Sequence, residues 1–240
     1  MQKQVVVFDL YDTLVRVDSM DFFSGLEWTR ECFFPSLCTK EELKEFGDIS
    51  FQKYLMKHRE EKEYPLLKEE IPDLFNHFGA ELPTLGTEFE YAFLNRAGRF
   101  SLCDGVRETL ERLKEKGSNL YVLSNSIYTS AASTRLLEDL GIASYFDEVF
   151  SSADAGVCKP GKAFFSWAEE RMRQQIPDFD PSRAFFCGDR YDLDAVGGVR
   201  AGMCTVWINK KKEENPLALP VREISSISEL LPIVYPESGM

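Results

Sequence analysis

Short, almost unbroken apolar runs recur along this chain, each followed by a stretch with helical periodicity. QVVVF (residues 4–8), NLYVLS (119–124), AFFC (184–187) and MCTVWI (203–208) have strand length and are apolar at consecutive positions. A strand that is hydrophobic on both sides must be covered on both sides, as strands of a parallel sheet flanked by helices are. A weaker candidate, DEVFSS, lies at 147–152. DGVRETLERLKEKG (104–117) puts Val106, Leu110 and Leu113 on one face, with Asp104 as expected N-cap and Gly117 as C-terminal glycine. Further helices are expected over 128–140 and 160–175, and a shorter one over 192–201. Strand–helix alternation of this kind specifies an open α/β sheet with right-handed crossovers.

Residues 18–98 break the rhythm. Phe22, Trp28, Phe34, Phe75, Phe89 and Phe93 stand there among many charges with little alternation of period two. The expectation is several amphipathic helices around an aromatic interior, punctuated at Pro65, Pro72 and Pro83. NRAGRFSLCDG (95–105) reads as the hinge back to the sheet, and YPESGM as a loose tail. A chain of 240 residues accommodates both parts: a sheet domain from 1–17 and 99–240, and a helical cap from 18–98.

A net charge of −12 argues against a nucleic-acid polymer as partner, because affinity for a phosphate backbone needs concentrated Lys and Arg. It leaves room for a small anion, which needs few local donors. The six cysteines show no metal-type spacing, and the start MQKQVVVFDL lacks the features of a signal peptide. No run approaches the ~18 apolar residues of a membrane span. A cytoplasmic protein with free thiols and no membrane partner is the resulting expectation. His58 and His77 have no acid or serine neighbour at a catalytic spacing and read as surface or packing residues.

In open α/β sheets ligands bind beyond the carboxyl ends of the strands. Asp9 and Asp12 follow the first run, Ser124 and Asn125 end the second, Lys159 lies beyond 147–152, and Asp189 and Asp194 follow AFFCG. Carboxylates, a hydroxyl and an ammonium at one edge suit phosphoryl transfer, where catalysis is mostly positioning and charge neutralisation. Asp9 and Asp189 can hold Mg²⁺, which favours oxygen ligands, while Ser124 and Lys159 meet phosphoryl oxygens. A carboxylate nucleophile at Asp9 would divide one difficult hydrolysis into two easier steps. Each residue also has a plainer reading. DLYDT alone suits a helix N-terminus, Ser124 and Lys159 alone are ordinary, and Asp192 reads as a helix cap rather than a metal ligand.

Taken together and in order, DLYDT (9–13), LSNS (123–126), KP (159–160) and GDRYDLD (188–194) resemble the motifs of the haloacid dehalogenase-like hydrolase superfamily. The resemblance implies a Rossmann-like parallel core with an all-helical cap inserted between the first two motifs. It also implies roles: Asp9 as nucleophile and metal ligand, Asp12 as general acid/base with its main-chain carbonyl on Mg²⁺, and Asp189 as metal ligand. Asp194 would be a water-mediated metal partner, while Leu10, Thr13, Ser124, Asn125 and Lys159 would surround the phosphate. Tyr11, Leu193 and Gly161 depart from the commoner residues of these motifs.

The family includes 2-haloacid dehalogenases and hexose-phosphate mutases. Dehalogenases need no proton for a leaving alkoxide and typically lack an acid at the position of Asp12, so its presence favours a phosphatase. The expected substrate is a small phosphorylated metabolite, a sugar phosphate or nucleotide, handled by a monomer or homodimer. VWINK (206–210) resembles the nucleotidase-like branch. A non-enzymatic phospho-Asp signalling module would place its acidic pair, phosphorylated Asp and length differently.

Overall fold

The apolar runs form the strands their hydrophobicity required. In the computed structural model, which describes residues 3–61 and 67–236 (the backbone alone at 51 and 53–61), the strands in chain order are as follows. They are β1 (Val5–Phe8), β2 (Val15–Met20), β3 (Gly98–Leu102), β4 (Asn119–Ser124), β5 (Glu148–Ser151), β6 (Phe185–Gly188), β7 (Cys204–Ile208) and β8 (Arg222–Ile224). Among the described residues six of them make one parallel sheet in the order β5-β4-β1-β6-β7-β8. β1 is central, with Phe8 opposite Val122 on one side and Cys187 on the other. The pleat then divides its side chains: Val6 and Phe8 enter one apolar core with Leu120 and Val122, while Val5 and Val7 enter another with Tyr121 and Leu123. Both faces are covered, which is why the run is apolar at every position.

The helices are α1 (Phe22–Phe33), α2 (Lys40–Glu61), α3 (Leu67–His77), α4 (Thr87–Ala97), α5 (Val106–Glu115), α6 (Ser130–Asp139), α7 (Ser152–Ala155), α8 (Lys162–Gln175), α9 (Val196–Arg200) and α10 (Leu231–Val234). Phe164, Phe165, Ala168 and Met172 of α8 cover the face with Val5 and Val7, and α5 and α6 cover the other. The fold is thus an α/β, Rossmann-like parallel sheet with an inserted helical cap. Helices α1 to α4 occupy the insertion and share an aromatic interior. Phe22 and Phe93 are 5.0 Å apart, Phe34 and Phe75 5.0 Å, and Trp28 and Phe89 5.5 Å between centroids. At Gly25 an added Cβ would come 2.5 Å from the Phe93 ring, so the α1–α4 approach depends on glycine there. His77 packs between Phe46 and Phe78, as a packing histidine should.

Several local expectations are corrected. The chain enters and leaves the insertion through β2 and β3, an antiparallel pair with an irregular register between Val17 and Ser19, so the stretch read as a hinge contains a paired strand the sequence reading did not mark. The cap position of α5 is held by Gly105 at φ 78°, and Asp104 instead pairs with Arg16 at 2.9 Å. Pro72 lies inside α3 rather than ending a helix. Asp192 caps nothing through its side chain; its carboxylate takes Nη2 and Nε of Arg190 at 2.9 and 3.0 Å. The helix expected from 192 opens as a π-helical turn, Tyr191–Ala195, before α9. Pro65, the side chain of His58 and residues 237–240 of the tail lie outside the described residues. All six cysteines are free thiols, and no helix among the described residues is long and apolar enough to cross a membrane.

Candidate active site

The central position of β1 sends the chain to β4 on one side and β6 on the other, and a crevice at such a switch is where α/β sheets bind ligands. Asp9 is the first residue past β1, its amide still in sheet register on the Cys187 carbonyl at 2.9 Å. The loop then closes on itself: Leu14 and Val15 amides both donate to the Leu10 carbonyl at 2.9 Å, and the Asp12 amide donates to the Val15 carbonyl at 2.6 Å. This closure needs a left-handed residue at Asp12 (φ 58°), a conformation Asp tolerates better than most side chains. The Asp12 carboxylate accepts the Val17 amide at 3.3 Å, and Thr13 Oγ1 is 3.4 Å from Asp189 Oδ1.

Opposite this loop stands Lys159, buried to within 1% of side-chain exposure, with Nζ 2.5 Å from Asp9 Oδ1 and 2.7 Å from Asp194 Oδ1. Asn125, directly after β4, clamps the Lys159 backbone, taking its amide at 2.8 Å and donating to its carbonyl at 3.0 Å. Ser124 Oγ has a long 3.4 Å contact with the Asn125 carbonyl. Asp194 also accepts the Arg190 amide at 2.9 Å. Its approach to the sheet requires glycine at 188, where an added Cβ would lie 2.4 Å from the carboxylate. The Trp207 indole donates to the Asp189 carbonyl at 2.9 Å and fixes the acidic loop from β7.

Carboxylate oxygens of Asp9, Asp189 and Asp194 lie within 4.8 Å of one another. Burial raises the Asp9 carboxyl well above its ordinary value; Lys159 opposes the rise, and Asp194 and Asp189 add to it. Burial likewise pushes Asp189 up to about 6, with Asp194 and Asp12 contributing. For Lys159 burial works against the charge, but Asp194 and Asp9 outweigh it and keep the ammonium protonated. Hard oxygen donors that crowd one another suit a small divalent cation such as Mg²⁺. Asp9, Lys159, Asp189 and Asp194 are thus joined by direct contacts or by their cluster; Thr13 reaches them through Asp189, Asn125 through the Lys159 backbone and Ser124 through Asn125, while Asp12 bonds to Val15 and Val17 just beyond it. Lys210 is the residue the sequence reading left without a role: its Nζ donates to the Asp12 carbonyl at 3.0 Å. VWINK carried it, but nothing in the run announces a contact across 198 residues.

A parallel sheet gathering carboxylates and a buried ammonium at its carboxyl edge, with a helical layer inserted after the first strand, defines an α/β enzyme. The family model for haloacid dehalogenase-like hydrolase matches residues 3–202, and the chain belongs to that family. It is 29% identical over 230 residues to pyrimidine 5'-nucleotidase PynA of Streptococcus pneumoniae, covering 94% of this chain and 92% of that protein. The magnesium-bound crystal structure of the putative HAD-hydrolase YfnB from Bacillus subtilis superposes with a TM-score of 0.60 at 25% identity, covering 98% of this chain and all of that one. The 2-haloacid dehalogenase from Pseudomonas syringae pv. Tomato DC3000 gives 0.67 at 26% identity, covering 97% of this chain and 98% of that one.

Proposed function

We propose that the chain is a Mg²⁺-dependent phosphatase that hydrolyses a small soluble phosphomonoester through an aspartyl-phosphate on Asp9. The observation that carries this reading is the cluster of Asp9, Asp189 and Asp194 around the Lys159 ammonium. Asp9, Asp189 and the Asp12 carbonyl would hold the cation, with Asp194 behind them. Bound there, Mg²⁺ supplies neutralising charge to the phosphoryl oxygens. Asp9 attacks phosphorus while Asp12 gives its proton to the leaving alkoxide. Asp12, now ionised, takes a proton from the water that cleaves the aspartyl-phosphate, which releases phosphate and restores both carboxyls. Lys159 and Ser124 meet the transferring oxygens; the long Ser124 contact is one a phosphoryl oxygen would displace at small cost. Leu10 and Thr13 shape the loop, and Asn125 positions Lys159. Helices α1 to α4 act as the cap, residues 18–98, over the sheet domain.

The nucleotidase relative spans nearly the whole chain, so nucleoside monophosphates are the first substrates to test, ahead of sugar phosphates. The likeness to the Pseudomonas dehalogenase favours a second reading, hydrolysis of a 2-haloacid. A halide leaves without a proton and needs no dication, so that reading gives Asp12 and Asp189 no work. Assays of phosphate release from pyrimidine nucleoside monophosphates and 4-nitrophenyl phosphate, beside chloride release from 2-chloropropionate, separate the two. Phosphate release that is lost with EDTA and in Asp9→Asn is expected. Chloride release without phosphate release, or full activity in Asp9→Asn, sinks the proposal.

A further inference from the structure

Lys210 is held where it is by a braced turn. Asn209, buried at the end of β7, donates Nδ2 to the Glu213 carbonyl at 2.8 Å and to the Glu223 carboxylate at 3.1 Å, and accepts the Glu213 amide at 2.8 Å. Its own amide donates to the Ile224 carbonyl at 2.8 Å, and its carbonyl accepts the Lys212 amide at 3.2 Å. The backbone beneath Lys210 is therefore fixed to the sheet, and its ammonium ends on the Asp12 carbonyl at 3.0 Å. That carbonyl is the main-chain oxygen assigned above to the cation. It belongs to a left-handed residue in a loop closed by its own backbone hydrogen bonds, and Lys210 is the side chain that meets it from outside that loop.

We propose that Lys210 is a tethered counter-cation for the Asp12 carbonyl: it occupies that oxygen in the metal-free protein, steadies the DLYDT loop there, and gives up the oxygen when Mg²⁺ binds. The inference rests on the metal assignment above. An ammonium donating to an oxygen and a dication bonded to that oxygen repel each other strongly at contact distance. Binding of Mg²⁺ therefore has to break the Lys210 contact, and the energy of that contact is subtracted from the affinity. Lys210 is a positioning residue: it sets the loop and the affinity and takes no part in proton or phosphoryl transfer.

The test is isothermal titration of the metal-free protein with Mg²⁺, for wild type and Lys210→Met, with Lys211→Met and Lys212→Met as controls. Each control removes the same charge from the same exposed turn, so it reports the general field. Lys210→Met should bind Mg²⁺ about five- to ten-fold more tightly, as expected for loss of one charge-assisted hydrogen bond, and the controls should move less than about two-fold. Amides of residues 10–15 should also exchange faster in metal-free Lys210→Met, and added Mg²⁺ should restore their protection. Unchanged or weaker affinity in Lys210→Met, an equal gain in the controls, or no acceleration of exchange overturns the proposal. If wild type binds no Mg²⁺, the metal assignment falls and this inference with it; if wild type binds and Lys210→Met matches it, only this inference falls.

Discussion

Lys159 and Asp9 are 150 residues apart in sequence, yet the ammonium and carboxylate are 2.5 Å apart in a buried site. The same ammonium reaches Asp194 at 2.7 Å, so one cation holds two carboxylates and opposes the rise that burial imposes on the Asp9 carboxyl. Lys159→Met should remove that balance and leave Asp9, Asp189 and Asp194 facing one another. Breaking a buried ion pair by deleting one partner costs on the order of 3–5 kcal/mol. The loss should be largest above neutral pH, where Asp9 and Asp189, both raised by burial, are ionised, and smaller near pH 5. Mg²⁺ should return much of the lost melting temperature if the carboxylates hold it. Thermal unfolding at both pH values, with and without Mg²⁺, checks this; a variant as stable as wild type without metal would contradict it.

The sheet and the acidic edge were legible because both are written locally. Strands covered on both faces must be apolar throughout, and residues just past their carboxyl ends fall at one edge whatever the helices do. What escaped depends on partners far along the chain. β2 carries Arg16, Asp18 and Ser19 and is mostly exposed, so VRVDSM gains strand character only from pairing with β3. Asp104 is a good N-cap by type, but Gly105 takes the cap and frees Asp104 for Arg16. Lys210 offers no local signal at all, since its meaning lies in the loop of Asp12.

Glu70 gives the stability of the cap a pH dependence. It is buried in α3, its Oε1 has no hydrogen-bond partner among the described residues, and burial pushes its carboxyl up to about 7, with a Ser50 hydrogen bond opposing and Asp73 adding. The folded value lies above the unfolded one, so the stabilisation is complete below the ordinary carboxylate range and is lost as pH rises through about 7. The rise corresponds to roughly 3 kcal/mol across that window. Glu70→Gln should match or fall slightly below wild type near pH 4.5 and exceed it at pH 8. Urea unfolding of both proteins at the two pH values reads the difference. Parallel pH profiles would mean that Glu70 is solvated.

The paired strands β2 and β3 are the two chain passages into the cap, and the Cys103 amide extends the pairing to the Leu14 carbonyl at 2.9 Å. The cap also grips the sheet domain through Glu90, which accepts the Thr129 amide at 2.9 Å and its hydroxyl at 2.6 Å. If the cap opens and closes over a ligand, amides at 14–20 and 95–103 should gain protection from exchange when a phosphate mimic binds with Mg²⁺. Glu90→Gln should reduce that gain by weakening the closed contact. Equal exchange with and without the mimic at both segments would mean that the cap is fixed.

In the proposed reaction Asp12 decides which chemistry the cluster serves. Its main chain closes the DLYDT loop while its carboxylate accepts the Val17 amide, a 3.3 Å contact that leaves the second oxygen for a substrate. An alkoxide leaves poorly, so a positioned acid is worth ~10²–10⁴-fold in rate. Asp12→Asn should therefore lose activity on alkyl phosphates by that order at the first step and again at hydrolysis of the phospho-enzyme. An aryl phosphate, whose phenolate leaves with little help, should still phosphorylate Asp9. The intermediate then accumulates, and intact mass after acid quench should show one added phosphoryl group that is absent from Asp9→Asn. Equal losses on aryl and alkyl esters with no trapped species would remove Asp12 from proton transfer and return the site to the chemistry in which a halide leaves unaided.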